Sequence, residues 1–184
     1  AEYTDWEGEL TSEKPNGDEM VSNDYLSWFP SAAITYSLND KNQFNLTYSR
    51  RIDRPSYQDL NPFEFKLDEL TYQKGNPMLR PQFTNSFELS PTYQGHPVIK
   101  LGYSHTKDLF TQVLDTTNVR ATFITNENLA NQRNYTLTLN APTPIAKWWE
   151  GFVSLTGYYS DFSATFRDGY TADQQFTAFN LYAE

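Results

Sequence analysis

The residues of this sequence best suited to chemistry gather between positions 50 and 80. Arg50, Arg51 and Arg54 lie close together, and Arg80 closes the same stretch. A guanidinium fork matches carboxylate and phosphate oxygens, so these arginines could hold an acidic ligand or a lipopolysaccharide phosphate. Their plainer role, and the stronger expectation, is to pair with carboxylates such as Glu64, Asp68, Glu69 or Glu88 and pin the stretch. Tyr57, Tyr72 and Tyr170 are expected at loop tips, where an aromatic ring could stack on a sugar. Asn61 and Asn76, set among prolines, complete the ligand candidates. No Ser/His/Asp arrangement, carboxylate pair or glycine-rich phosphate loop accompanies them. His96, expected in a turn, and His105, expected in a strand, lack clustered partners. The expectation is therefore no enzyme, no metal and no cofactor.

The elements that position these residues read as strands. Phe44, Leu46 and Tyr48 alternate with Asn45, Thr47 and Ser49, and Phe83, Phe87 and Leu89 alternate with Thr84, Ser86 and Glu88. Such alternation is the signature of a strand with one apolar face. Between them, residues 53–82 show no sustained period. A compact domain rarely keeps more than about 12–15 unstructured residues unless they serve a function. Gly75-Asn76-Pro77 predicts a turn with positive φ at Gly75, and Pro55, Pro62, Pro77 and Pro81 stiffen the loop by fixing φ.

Further strands are predicted over 26–38, 98–114, 119–141, 148–162 and 174–182, with a weaker one near the start. A phase slip near Leu109-Phe110 predicts a bulge, and Pro142-Thr143-Pro144 is expected to break its strand. Residues 11–24 read as a loop. Short turns fall at 39–42, 94–97 and 141–147; longer connections fall at 5–24, 53–82 and 163–173, with 115–118 as the exception. The fold expected is an all-β antiparallel meander of about eight strands, with short turns at one end and long loops at the other. Most segments reach the roughly 9–11 residues that cross an apolar layer, whereas strands of soluble domains run to about 5–6.

Composition agrees with two-faced strands. The chain has 184 residues, 23 acidic against 14 basic side chains and no cysteine, and its net charge of −9 argues against a nucleic-acid backbone as partner. Aromatic residues make up 16%, yet the mean hydropathy is −0.68. One face of Phe, Tyr and Leu with a second of Asn, Thr, Ser and Gln reconciles those values. No run of about 18 apolar residues exists to form a membrane helix. In lipid every backbone N–H and C=O must be paired, so strands survive there only as a closed barrel.

The loop clusters Arg51-Ile52-Asp53-Arg54-Pro55-Ser56-Tyr57, Leu60-Asn61-Pro62-Phe63 and Gly75-Asn76-Pro77-Met78-Leu79-Arg80-Pro81 together resemble the outer-membrane β-barrel family of TonB-dependent receptors, in the branch common in Bacteroidetes-type bacteria. Flanking stretches agree, among them Phe29-Pro30-Ser31, Tyr36-Ser37-Leu38-Asn39-Asp40 and Glu88-Leu89-Ser90. The resemblance is carried by 1–110 and continues beyond only as strand rhythm. It implies a barrel of about 22 strands in the Gram-negative outer membrane, with a plug energised through the TonB system, importing a nutrient ligand. It also implies that loops 5–24, 53–82, 115–118 and 163–173 face outside and that turns 39–42, 94–97 and 141–147 face the periplasm.

The first and last residues each read as mid-strand, so residues 1–184 are expected to be one internal segment of the barrel wall, lacking plug and closing strands and unable to transport alone. Its expected partners are outer-membrane lipid, the TonB system through the missing plug and a nutrient ligand. Self-association through open sheet edges is also expected. Trp28, Tyr36, Tyr48, Tyr93, Tyr103, Trp148, Trp149, Tyr158 and Tyr159 suit an interfacial aromatic belt. A second reading from a different class stays open, namely a soluble all-β module, such as a carbohydrate-binding sandwich, with its aromatic face buried in a core.

Overall fold

Wherever apolar and polar side chains alternate without interruption, the chain is extended and paired. The computed structural model describes residues 2–10, 19–115, 121–146, 149–166 and 169–184. Strands β1 (Glu2–Leu10) and β2 (Glu19–Ser27) form a separate antiparallel hairpin. The main sheet starts with β3 (Ser31–Ser37) and β4 (Asn42–Asp53). It then receives β7 (Gln82–Tyr93), β9 (Ile99–Asp115), β10 (Thr122–Ala146), β11 (Trp149–Thr165) and β12 (Thr171–Ala183). Their spatial order, β12-β11-β10-β9-β7-β4-β3, is that of a meander. Three short strands, β5 (Glu64–Lys66), β6 (Thr71–Lys74) and β8 (His96–Pro97), bring the sheet to ten. These three, two of them in the long loop, together with β2 raise the described strands to twelve, above the expected eight. The sheet is open, its outermost strands being β3 and β12.

Register aligns side chains of one kind across the whole sheet. One row runs Ile34, Leu46, Leu89, Leu101, Leu137, Gly157 and Phe179. The next runs Tyr48, Phe87, Tyr103, Tyr135 and Tyr159, with ring centroids 4.8, 6.4, 5.0 and 6.0 Å apart. This ladder gathers three of the tyrosines expected in a belt. Tyr36 and Tyr93 share its face near the short turns, whereas Tyr158 points to the opposite face and meets Phe176 at 5.6 Å. Trp148 lies outside the described residues, as does the side chain of Trp149. On the other face, hydroxyls and amides pair across strands: Thr84 with Thr106 at 2.8 Å, Gln132 with Ser160 at 3.1 Å, and Ser154 with Asn140 at 2.8 Å.

The apolar face is uncovered. Leu46 is 44% exposed, Phe87 45% and Leu101 45%. The chain's accessible surface of 13547 Å² compares with about 9,100 Å² for a folded soluble monomer of 21.3 kDa. Core-like burial is confined to a few residues, Leu79, Ala130 and Ala164 among the apolar ones described. A sandwich with its aromatic face sealed inside is inconsistent with these values. No described helix is long and apolar enough to cross a membrane.

Several local expectations change. The alternation over 26–38 is not one strand: it breaks at 28–30, where Pro30 lacks an N–H, and Trp28 there is 63% exposed. Residues 19–24, read as loop, already belong to β2. Pro142 and Pro144 do not break β10, which continues to Ala146 and pairs Pro142 with Phe152. The reason is directional. Asn140 sends its N–H to Val98 O at 2.8 Å, so positions 142 and 144 aim their nitrogens the same way, beyond the start of β9. No ladder bond is lost there, as edge positions allow. The predicted slip near Leu109 is present as register shifts of β10 opposite β9, with Asp108 at φ 54°.

Candidate functional site

Residues 53–82 are ordered into a small structure of their own. Ser56 caps α1 (Tyr57–Leu60): its hydroxyl accepts from Asp59 N, while the Asp59 carboxylate accepts from Ser56 N at 2.8 Å. This reciprocal capping box is spelled by Ser56-Tyr57-Gln58-Asp59. β5 and β6 then form a hairpin whose turn is held by the Asp68 carboxylate, accepting from Leu70 N at 2.9 Å and Thr71 N at 2.7 Å. The Leu70 N–H first, and then the Thr71 side chain, hold the Asp68 carboxyl below its ordinary value of 3.8. β6 also pairs in parallel with the upper part of β10, Thr71 opposite Thr122, and Tyr72 stacks on Phe123 at 5.7 Å.

The cluster 75–81 ties the loop to the wall. Gly75 N donates to Asn61 O at 2.9 Å and Asn76 N to Asp59 O at 2.6 Å. The Asn76 amide donates to Asn126 O at 3.0 Å, and the Asn126 amide donates to Asp59 at 2.9 Å. Asn128 grips Arg80 from both sides, accepting from its N–H at 2.8 Å and donating to its carbonyl at 2.8 Å, with a further bond to Asp108 O at 2.7 Å. Beside this knot Leu79 is 2% exposed, Ala130 1%, Ala164 2% and Thr106 7%. The last three occupy polar-face positions. The loop therefore folds inward over the polar face at the long-loop end of β9–β11.

Gly75 does not have the positive φ expected of it; Gly95 and Gly169 do. Its need for glycine is steric. A Cβ would run into Asn61 O and come within 2.7 Å of Asn61 N and Gln58 O.

The sequence-predicted candidates divide into three groups. Asn61, Asn76 and Arg80 are brought together by the knot, and Tyr72 is drawn onto β10. Asn61 also accepts from Phe63 N at 3.1 Å, and Arg80 pairs with Asp108 at 3.1 Å. Tyr57 and Tyr170 project into solvent, 79% and 65% exposed. Arg51 lies on the polar face of β4 opposite Thr84, and Arg54 just past the strand's end. Arg50 points the other way, onto the apolar face, with its guanidinium 4.6 Å over the Phe83 ring. Of the carboxylates expected to receive arginines, Glu64 pairs with Lys74 at 3.7 Å and Asp68 is taken up by backbone. Sequence reasoning missed Asp59, Asp108, Asn126 and Asn128. Asp59 was legible through its capping box; the other three carry no local signal, because their partners are 20 or more residues away.

Chemically, the arrangement offers a polar sheet face with the loop 53–82 hydrogen-bonded onto it through Asn76, Arg80, Asn126 and Asn128. The family model described as "Outer membrane protein beta-barrel family" matches residues 1–184. No curated protein matches the sequence. Among solved structures the chain is similar to the siderophore receptor PirA from Pseudomonas aeruginosa, with a TM-score of 0.56 and 14% identity, over 90% of this chain and 36% of that one. At that identity the likeness is one of fold.

Proposed function

Because the chain belongs to the outer membrane protein beta-barrel family, we propose that it is part of the wall of a TonB-dependent receptor, of the type common in Bacteroidetes, that imports a nutrient ligand. The apolar face of the sheet meets lipid, as the outward faces of such barrels do. The polar face lines the interior, and the ligand enters at the long-loop end. The observation that carries the reading is the inward knot of residues 75–81. It places a fixed, hydrogen-bonded segment over the polar face, where a passing solute meets it. Residues 1–184 act here as one segment of a wider barrel, and an energised plug does the work of transport. The role is binding and passage, not catalysis.

The test uses cells with and without the whole receptor. Uptake of a panel of iron chelates, oligosaccharides and peptides is measured with the inner membrane energised or uncoupled. One solute class is expected to lose uptake both on deletion and on uncoupling. Uptake that survives uncoupling, or a panel untouched by deletion, refutes the reading.

A further inference from the structure

The apolar face carries a feature that import does not use. Immediately beyond the tyrosine ladder, toward the long loops, His105 and Arg133 are register partners on β9 and β10. Lys107 follows on the same face of β9, opposite Phe83. His105 lies within electrostatic reach of both cations. Arg133 has an ion pair with Asp161 at 3.7 Å yet keeps 53% of its side chain exposed, and Lys107 is exposed. Like charges gathered on one sheet face repel, so the cluster is suited to an anion. From the ladder itself, running away from those charges, extends a groove of about 520 Å³, lined by Tyr103, Tyr135, Leu101, Leu137 and Phe179. At Gly157 the Phe179 ring packs onto the backbone, its carbons 3.0 and 3.1 Å from where a Cβ would be, so a larger side chain there would push that ring into the groove.

We propose that this cluster and groove together seat one phosphate-bearing, acylated glycolipid of the outer leaflet. Its phosphate meets Lys107, His105 and Arg133, and an acyl chain lies in the groove along Leu101, Leu137 and Phe179. The geometry fits an amphiphile. Two residues along a strand span about 6.8 Å, so the charges stand one step beyond the groove's tyrosine edge. Tyr103 and Tyr135 stand at that boundary with an apolar ring and a polar hydroxyl. The inference rests on the membrane-facing orientation of the sheet and not on what the receptor imports.

The experiment uses the whole protein, placed in phosphatidylcholine nanodiscs. Fluorescent lipid A with its phosphates, the same probe dephosphorylated, and phosphatidylglycerol are titrated in turn. The phosphorylated probe is expected to bind about tenfold or more tighter than the other two, the scale of a hydrogen bond to a charged group. Lys107→Gln with Arg133→Gln is expected to erase that preference, and Gly157→Leu to weaken both lipid A probes. Folding of each variant is checked by heat-dependent gel mobility; if Gly157→Leu fails to fold, Phe179→Ala, which removes a groove wall, takes its place. Equal binding of the phosphorylated and dephosphorylated probes overturns the proposal, as does a preference that survives the double substitution. Phosphatidylglycerol binding as tightly as lipid A overturns the assignment to a glycolipid. Import by the same variants is expected to be unchanged, so failure here leaves the import reading standing.

Discussion

Replacing Gly75 by alanine should release the inward loop while leaving the wall intact. The added Cβ collides with Asn61 O and approaches Asn61 N and Gln58 O to 2.7 Å. These are backbone atoms, held by α1 and its cap, so they cannot swing aside as a side chain could. Relief requires the 75–76 segment to withdraw. That breaks Gly75 N to Asn61 O, Asn76 N to Asp59 O and the Asn76 amide to Asn126 O. At about 1 kcal/mol for each bond, the loop loses about 3 kcal/mol against opening. Exchange of the Gly75 and Asn76 amides, followed by hydrogen–deuterium mass spectrometry on the whole protein, should quicken by about 100-fold. Amides of β10 near Thr136 should keep their protection. Exchange within about threefold of the unaltered protein would show that the loop tolerates a Cβ, and the steric account of Gly75 would fail.

Asn128→Ala should cost about 2–3 kcal/mol of loop stability, since three hydrogen bonds to Arg80 and Asp108 are lost, whereas Arg80→Ala should cost under about 1 kcal/mol, because its pair with Asp108 is largely exposed; the same exchange assay ranks the two. Leu101→Arg should destabilise the barrel by about 2–4 kcal/mol if its face meets lipid, and Thr136→Arg, one position across on the polar face, by about 0.5 kcal/mol or less; urea unfolding in vesicles measures both. The Asp68 carboxyl is held below 3.8 by the Leu70 N–H and the Thr71 side chain, so its contribution to the β5–β6 turn is present above pH 3.8 and disappears as pH falls through the lowered value. Exchange at Leu70 and Thr71, corrected for intrinsic rates, should accelerate below pH 3.8 and be flat above it.

Strand rhythm was legible because side-chain alternation is local: β4 and β7 announce themselves in Phe44, Leu46, Tyr48, Phe87 and Leu89. The same parity, carried two residues further, places Arg50 with Tyr48 on the apolar face and Arg51 on the polar one. What local reading could not supply was the far end of each tether. Asn76 and Asn126 are 50 residues apart, as far as any pairing in the knot save Asp59 with Asn126 at 67. Nothing near Asn126 marks it as the receiver. The prolines at 142 and 144 misled for a related reason. A proline breaks a strand only when a neighbour needs its N–H, and whether β9 extends that far is a property of the sheet.

A mean hydropathy of −0.68 looks like evidence against a membrane, but lipid samples only part of this chain. In a barrel wall alternate strand residues face inward, and loops leave the bilayer altogether, so the polar face and residues 53–82 dominate the average. The relevant quantity is resolved by face. On the outward side, between Phe44 and Leu181, register brings leucines, isoleucines, phenylalanines and tyrosines into continuous rows; on the other, hydroxyls and amides bond to one another. The surface left uncovered by folding is 13547 Å² where a soluble chain of this mass would keep about 9,100 Å², and those rows are part of the excess. Hydrophilic on average and greasy on one side is therefore a single design, and the bilayer supplies the burial that a sealed core would otherwise provide.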